Sequence, residues 1–202
     1  MRFTVASMTL GFAALAAAQL PAIPIVEAIA PNARSCSDPE CRTAAQAAPF
    51  IAQAMFDHGI FSVNQMAAII SLMAFESADF AFKRNAFPGR PGQGTANMQM
   101  PNFNLKYAKS IDSVRDKVAA IDSVEGLSDQ ELNNILELVI PDETNFGSGP
   151  WFLVNECDPS VRAALDADVD SGFQEYMACV GVEVTEDRLA YLTRAKTAFN
   201  IN

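Results

Sequence analysis

The sequence predicts a mainly α-helical domain (α+β in type) built around one buried helix that ends in a glutamate. Three observations predict it. The run Met66 to Phe75 is apolar almost all the way round, the pattern of a helix at the centre of a domain. Helix-start signals recur along the chain, at Ser62-Val63-Asn64-Gln65, Ser128-Asp129-Gln130-Glu131, Asp158-Pro159 and Thr185. Few segments alternate apolar and polar residues with period two, so little sheet is expected.

In chain order, Met1 to Ala18 reads as a secretory leader, with Arg2, an apolar core and a small-residue site at Ala16-Ala17-Ala18. An exported protein is expected. Residues 19–35 are proline-rich and read as an extended arm before a single domain over 36–202. A first helix is expected to open near Asp38-Pro39, run through Ala44 to Asp57 and stop at Gly59. Ser62 to Gln65, with the Phe61/Met66 staple spacing, opens the buried helix. Residues 84–101 hold Gly89, Gly92, Gly94, Pro88, Pro91 and Pro101, and predict a loop or small hairpin. Ser128 opens a helix through Val139 that Pro141 ends. Pro150 is placed as the first residue of a helix carrying Trp151 and Phe152. Further helices are expected from Asp158, over Ser171 to Val180, and from Thr185 to about Phe199.

The formal charge is −10, and loss of Arg2 with the leader makes it −11. Such an acidic chain is a poor nucleic-acid binder. No run after the leader reaches membrane length without a polar interruption, because Ser71 and Glu76 break the best one. A monomer is expected. The four cysteines, Cys36, Cys41, Cys157 and Cys179, allow three pairings in an oxidising compartment. Cys36–Cys41 and Cys157–Cys179 are favoured because each brackets a local segment. With His58 the sole histidine and no CxxC, no metal is expected, and no cofactor.

In a helix, Glu76 shares a face with Ile69, Leu72 and Met73. A carboxyl over apolar surface is poorly solvated, which favours the protonated form that a general acid needs. Asp142 and Glu143, after Pro141, could present a second carboxylate that positions or activates water. Asp79 could do the same or pair with Lys83 at i+4. Asn97 and Gln99 carry amide donors and acceptors suited to sugar hydroxyls. Tyr107 and Trp151 have the polar edge that a stacking platform in a wet cleft requires. Ser77 lacks a histidine base and reads as a helix-end hydroxyl.

Glu76-Ser77 followed by a Gly-rich loop and Asn97-Met98-Gln99 resembles the lysozyme-like superfamily, where goose-type lysozymes and lytic transglycosylases carry a Glu-Ser pair and a Gly-Leu-Met-Gln segment. The run Phe87 to Gln99, with Phe103-Asn104, Tyr107-Ala108 and Phe146 to Leu153, is similar to secreted fungal muramidase catalytic domains. Ala96-Asn97 stands where the bacterial pattern has Gly-Leu. The resemblance spans roughly residues 36–199 and implies a peptidoglycan substrate. Cleavage of the β-1,4 bond between N-acetylmuramic acid and N-acetylglucosamine would follow, with Glu76 as general acid. A chitinase or chitosanase on the same fold, or a non-catalytic secreted binding protein, are the alternatives.

Overall fold

The computed structural model describes residues 21–202, so the leader expected over Met1 to Ala18 lies outside the described residues. The protein is mainly helical, as expected. Ten α-helices are described: α1 Ala22–Ile29, α2 Ala44–Asp57, α3 Val63–Glu76, α4 Pro101–Ser110, α5 Asp129–Glu137, α6 Asp142–Asn145, α7 Ser148–Asn155, α8 Pro159–Ala167, α9 Val169–Val180 and α10 Glu186–Phe199. The loop region is held by two isolated bridges, Arg84 with Gly94 and Gly94 with Gln99. Gly94 is required there, because a Cβ would sit 2.4 Å from the Lys83 carbonyl oxygen.

α3 is the axis of the molecule. Ala67, Ala68, Ile69, Met73 and Ala74 are 0% exposed. Helices α1, α7, α8, α9 and α10 pack round it, so every side of the apolar run finds a partner. Burying each of Ile69, Leu72 and Met73 is worth about 1.5–3 kcal/mol. The Phe146 to Leu153 segment packs into the same core, with Phe146, Phe152 and Leu153 at 1–2% exposure.

Several expectations are corrected. Residues 19–35 do not form an extended arm where described. Pro21 caps α1 and Pro24 sits in its first turn, where no intrahelical donor is lost. Ile25, Val26 and Ile29 are buried, with α1 against α2 and α10, and Arg194 Nε donates to the Ile29 carbonyl at 2.9 Å. The first large helix opens at Ala44 rather than near Asp38. Cys36–Cys41 closes a tight turn there, and Thr43 with Gln46 forms a reciprocal cap that starts α2. Ser62 makes no side-chain cap, because the Gln65 amide is drawn away to the Asp166 carboxylate at 2.8 Å. The Ser128–Glu131 cap forms. Pro150 is the third residue of α7, still within its first turn. α4 has no counterpart in the sequence expectations: Pro101 starts it, but Met100 before it is no capping residue.

Both favoured cysteine pairings are present, with Cα–Cα distances of 5.8 Å for Cys36–Cys41 and 5.6 Å for Cys157–Cys179. No helix among the described residues is long and apolar enough to cross a membrane. α8 and α9 cross at Gly172, where a Cβ would lie 2.4 Å from the Leu165 backbone nitrogen and 2.5 Å from its Cα. Backbone cannot yield as a flexible side chain does. Gly172→Ala is therefore expected to destabilise the protein by about 1–3 kcal/mol, read as a lowered midpoint in chemical denaturation; an unchanged midpoint would contradict this packing.

Candidate functional site

The chain turns sharply after α3. Ala78, Asp79 and Phe80 follow one another in the left-handed region, with φ of 51°, 58° and 63°. None is glycine, and such a conformation costs each residue about 1–2 kcal/mol. The turn is held by its own bonds. Ser77 Oγ donates to the Met73 carbonyl at 2.7 Å and accepts from Phe80 N at 3.0 Å, so Ser77 is the helix-end hydroxyl expected. Asp79 N donates to the Ala74 carbonyl at 2.7 Å, and Asp79 Oδ2 accepts from Asn32 N at 3.0 Å. Asp79 Oδ1 is buried without a partner, so the turn is held mainly by its backbone and Ser77 bonds; strain held in place in this way clusters at working sites.

Glu76 emerges at the head of this turn into a cleft of about 270 Å³. Its polar lining is Glu76, Arg90, Gln93, Asn97 and Gln99. The rest of the lining is Gly181 and the apolar residues Met98, Met100, Phe103, Phe152, Val180 and Val182. The isolated carboxyl expected from the helix pattern is instead half of an ion pair. Arg188 Nη2 of α10 donates to Glu76 Oε1 at 2.8 Å, and the guanidinium lies 4.5 Å from the centre of the Phe75 ring. Tyr191, one turn on, packs edge-on to Phe75 at 5.6 Å. Burial, with Asp79 adding to it, pushes the Tyr191 phenol up to about 12. Burial first, and then the Glu76 charge, raises the Tyr176 phenol.

The amide wall is built by the loop 92–100. Gln99 Nε2 donates to Asn104 Oδ1 at 2.9 Å, and Asn104 Nδ2 donates to the Gly92 carbonyl at 2.8 Å. Thr95 N donates to the Lys83 carbonyl at 2.8 Å, across the Gly94 contact. These bonds leave other buried atoms over. Neither Oδ1 nor Nδ2 of Asn97 has a partner, nor do Oε1 of Gln99 and Oε1 of Gln93. A buried amide left so costs about 1–3 kcal/mol per group unless something entering the cleft satisfies it.

Of the residues singled out in the sequence, the fold brings Glu76, Asn97 and Gln99 together and places the others elsewhere. Asp142 accepts from Arg42 Nε at 2.7 Å and from Lys83 Nζ at 2.5 Å, pinning α6 to the segment ahead of α2 and to the loop after α3. Lys83 therefore serves Asp142, and the expected Asp79–Lys83 pair does not form. Glu143 is exposed beside it in α6 and is not part of the cleft. Tyr107 and Trp151 are core rather than cleft edge, at 3% and 4% exposure. α4 and α7 turn the two rings inward to 5.0 Å from each other, and Tyr107 OH donates to the Thr144 carbonyl at 2.8 Å. Burial raises the Tyr107 phenol. Arg188, Arg90 and Gln93 were not found from the sequence. Arg188 lies 112 residues from its partner, and no local pattern links them.

No free cysteine remains among the described residues, and no group of three or more His, Cys, Asp or Glu side chains there could share a metal ion. His58 is the C-cap of α2, and burial lowers its pKa against the pull of Asp57.

No protein-family model matches the chain, and no solved structure matches it. A curated protein of Fusarium oxysporum (strain Fo5176), named a bifunctional dioxygenase (DOX)–epoxy alcohol synthase (EAS), is 57% identical over 157 residues. The match takes in 77% of this chain and 12% of that protein, so the chain spans a small fraction of its relative's length. The relative is by name an enzyme, but not a glycoside hydrolase. This overturns the expected muramidase, its peptidoglycan partner and the hydrolase class. The motifs around Glu76 describe a helix end and a cleft wall, and many chemistries can share such a scaffold.

The Asp142 site yields a pH-dependent prediction. Burial alone would raise this carboxyl, but hydrogen bonds from Arg42 and Lys83 outweigh it and hold the pKa below its usual value. A depressed folded-state pKa gives stability that is present above about pH 4 and lost as pH falls through the folded value. Asp142→Asn, which leaves the buried Lys83 amine short of its counter-ion, should cost about 1–3 kcal/mol near neutral pH. In urea melts the gap to wild type should close below about pH 4; a gap constant from pH 7 to pH 3 would refute the pairing.

Proposed function

We propose that this chain is an exported ligand-binding module whose Glu76 cleft takes an amphipathic, oxygen-bearing molecule of the epoxy-alcohol class, in the context of an oxidising enzyme. The observation that carries the reading is the unpartnered buried amide of Asn97, with Gln99 and Gln93 beside it, in a cleft lining that also holds Phe103, Phe152 and Val182. Hydroxyl and epoxide oxygens suit amides that can both donate and accept. A hydrocarbon body suits the apolar part of the lining. The name of the Fusarium relative supports the ligand class and the enzymatic context. Two disulfides and the leader-like start support export.

Adding both atoms of O2 to an organic molecule calls for a centre that can pass electrons to oxygen. The residues here do not fit such a centre: the cysteines are in disulfides, and the lone histidine closes a helix. The reading therefore gives this chain the holding of an oxygenated molecule rather than the oxygen chemistry itself.

Asn97→Leu tests it. Leucine removes the unpartnered amide with little change of size, so thermal stability should hold or rise. In calorimetry with a ten-carbon aliphatic epoxy alcohol, affinity should fall about tenfold from wild type, the worth of one or two lost hydrogen bonds. Equal affinity for the corresponding saturated hydrocarbon alcohol without the epoxide, or no binding of either, would reject the reading.

A further inference from the structure

The Cys36–Cys41 disulfide closes a turn whose last residues hold the backbone that shapes the Glu76 cleft. Arg42 N donates to the Phe80 carbonyl at 2.9 Å, gripping the last of the three left-handed residues after α3. The Arg42 side chain is aimed from within the turn. Its Nη1 donates to the carbonyls of Pro39 at 2.9 Å and Cys41 at 2.7 Å, while Nε meets Asp142. Glu40, one residue before Cys41, accepts from Nη1 of Arg84, and Glu137 of α5 accepts from Nη2 at 2.5 Å. Arg84 is bridged to Gly94, and Gly94 is bridged in turn to Gln99 of the cleft. Residues 40–42 therefore restrain both the strained reversal and the loop that carries Asn97 and Gln99.

The two disulfides differ in what can reach them. Cys36 and Cys41 are both half-exposed at the surface. Cys157 is 8% exposed, and Cys179 packs against the core. A thiolate has to approach a sulfur to break such a bond, so exchange falls first on the accessible pair. The effect of opening it is local. Cys36 and Cys41 stand 5 residues apart in sequence, against 22 for Cys157 and Cys179. The Thr43–Gln46 cap starts α2 just outside the turn and does not depend on the bond.

We propose that Cys36–Cys41 is a reversible latch on the Glu76 cleft, opened by a dithiol reductant. One thiolate of the reductant attacks a sulfur of the pair, the S–S bond breaks, and the departing cysteine takes up a proton. The second thiolate of the reductant then displaces the other cysteine, which takes up a proton as well. The pair has gained two electrons and two protons, and the reductant has closed to its own disulfide. With the turn open, Glu40 and Arg42 lose their fixed spacing. The reversal at 78–80 and the loop 92–100 are then free to leave the shape described. An oxidant returns the bond and the shape. The latch is independent of which molecule the cleft holds.

Lys83 and Arg84 supply the readout. Lys83 is 7% exposed and paired with Asp142, and both terminal nitrogens of Arg84 are taken, so trypsin is kept from them while the latch is shut. Arg115 and Lys117, exposed in the 3-10 turn Arg115–Lys117, are the internal reference. On the full chain, dilute dithiothreitol without denaturant, then alkylation and peptide mass spectrometry, should label Cys36 and Cys41 and leave Cys157–Cys179 intact. Tryptic cleavage after Lys83 and Arg84 should then rise about tenfold or more relative to that after Arg115 and Lys117, the low end of what loss of a cross-link does to a local opening. Reoxidation should reverse the rise, and circular dichroism should stay that of the oxidised protein. Cys36→Ser combined with Cys41→Ser should be cut like the reduced protein and ignore the dithiol; if that variant does not fold, the wild-type comparison decides alone. Labelling of Cys157 and Cys179 first would overturn the latch. So would an unchanged cleavage ratio once Cys36 and Cys41 are labelled, or an equal rise at all four sites.

Discussion

Everything in this molecule follows from the need to cover α3 on all sides. A helix with one apolar stripe can lie on a surface, but one apolar throughout has to be enclosed. Five other helices do the enclosing, drawn from both ends of the chain. The enclosure then has to end where the helix becomes polar. At Glu76 the packing opens, the backbone reverses through three left-handed residues, and the cleft occupies the gap between α3, the loop 92–100 and the end of α9. The site is therefore a by-product of terminating a buried helix. Its carboxylate is tethered by α10, the same helix that closes the core over Phe75.

Local signals were legible in the sequence where one element settles the matter. The all-apolar run, the Ser128–Glu131 cap, the cysteine pairs and the Gly-rich loop each depend on residues a few positions apart. The reading went wrong where distant residues compete. Ser62 lost its cap partner because Asp166 holds Gln65. Residues 22–34 look like a proline-rich arm until the apolar face of α1 meets α2 and α10, and burial outweighs propensity. Of the site, Glu76 was legible from the apolar face of its helix, and Asn97 and Gln99 from the resemblance of their loop and their amide chemistry. Arg188 was not, since its pairing is a product of the tertiary fold alone. Tyr107 and Trp151 show the opposite failure. A polar handle on an aromatic ring fits a wet cleft, but it fits a satisfied core position equally well, and the Thr144 carbonyl takes the tyrosine hydroxyl.

The contrast between motif and relative separates scaffold from chemistry. The Glu-Ser helix end and the Gly-rich loop meet in space, as the motif reading requires, yet the curated relative is named for oxygenation and epoxide chemistry. A helix end beside an amide-lined loop is a general way to make a polar notch in an apolar body. Which molecule fills it depends on the rest of the lining, and here that is phenylalanine, methionine and valine.

The Cys157–Cys179 bond bears on that lining directly. Phe152 lies just ahead of Cys157, and Val180 and Val182 lie just after Cys179, so both flanks of the apolar side hang from one covalent link. The spacing between those two flanks is thus held by a bond rather than by a balance of weak contacts alone. Reduction would free the end of α7 and the end of α9 to part from one another, so the shape of that side of the cleft is tied to a compartment where thiols stay oxidised.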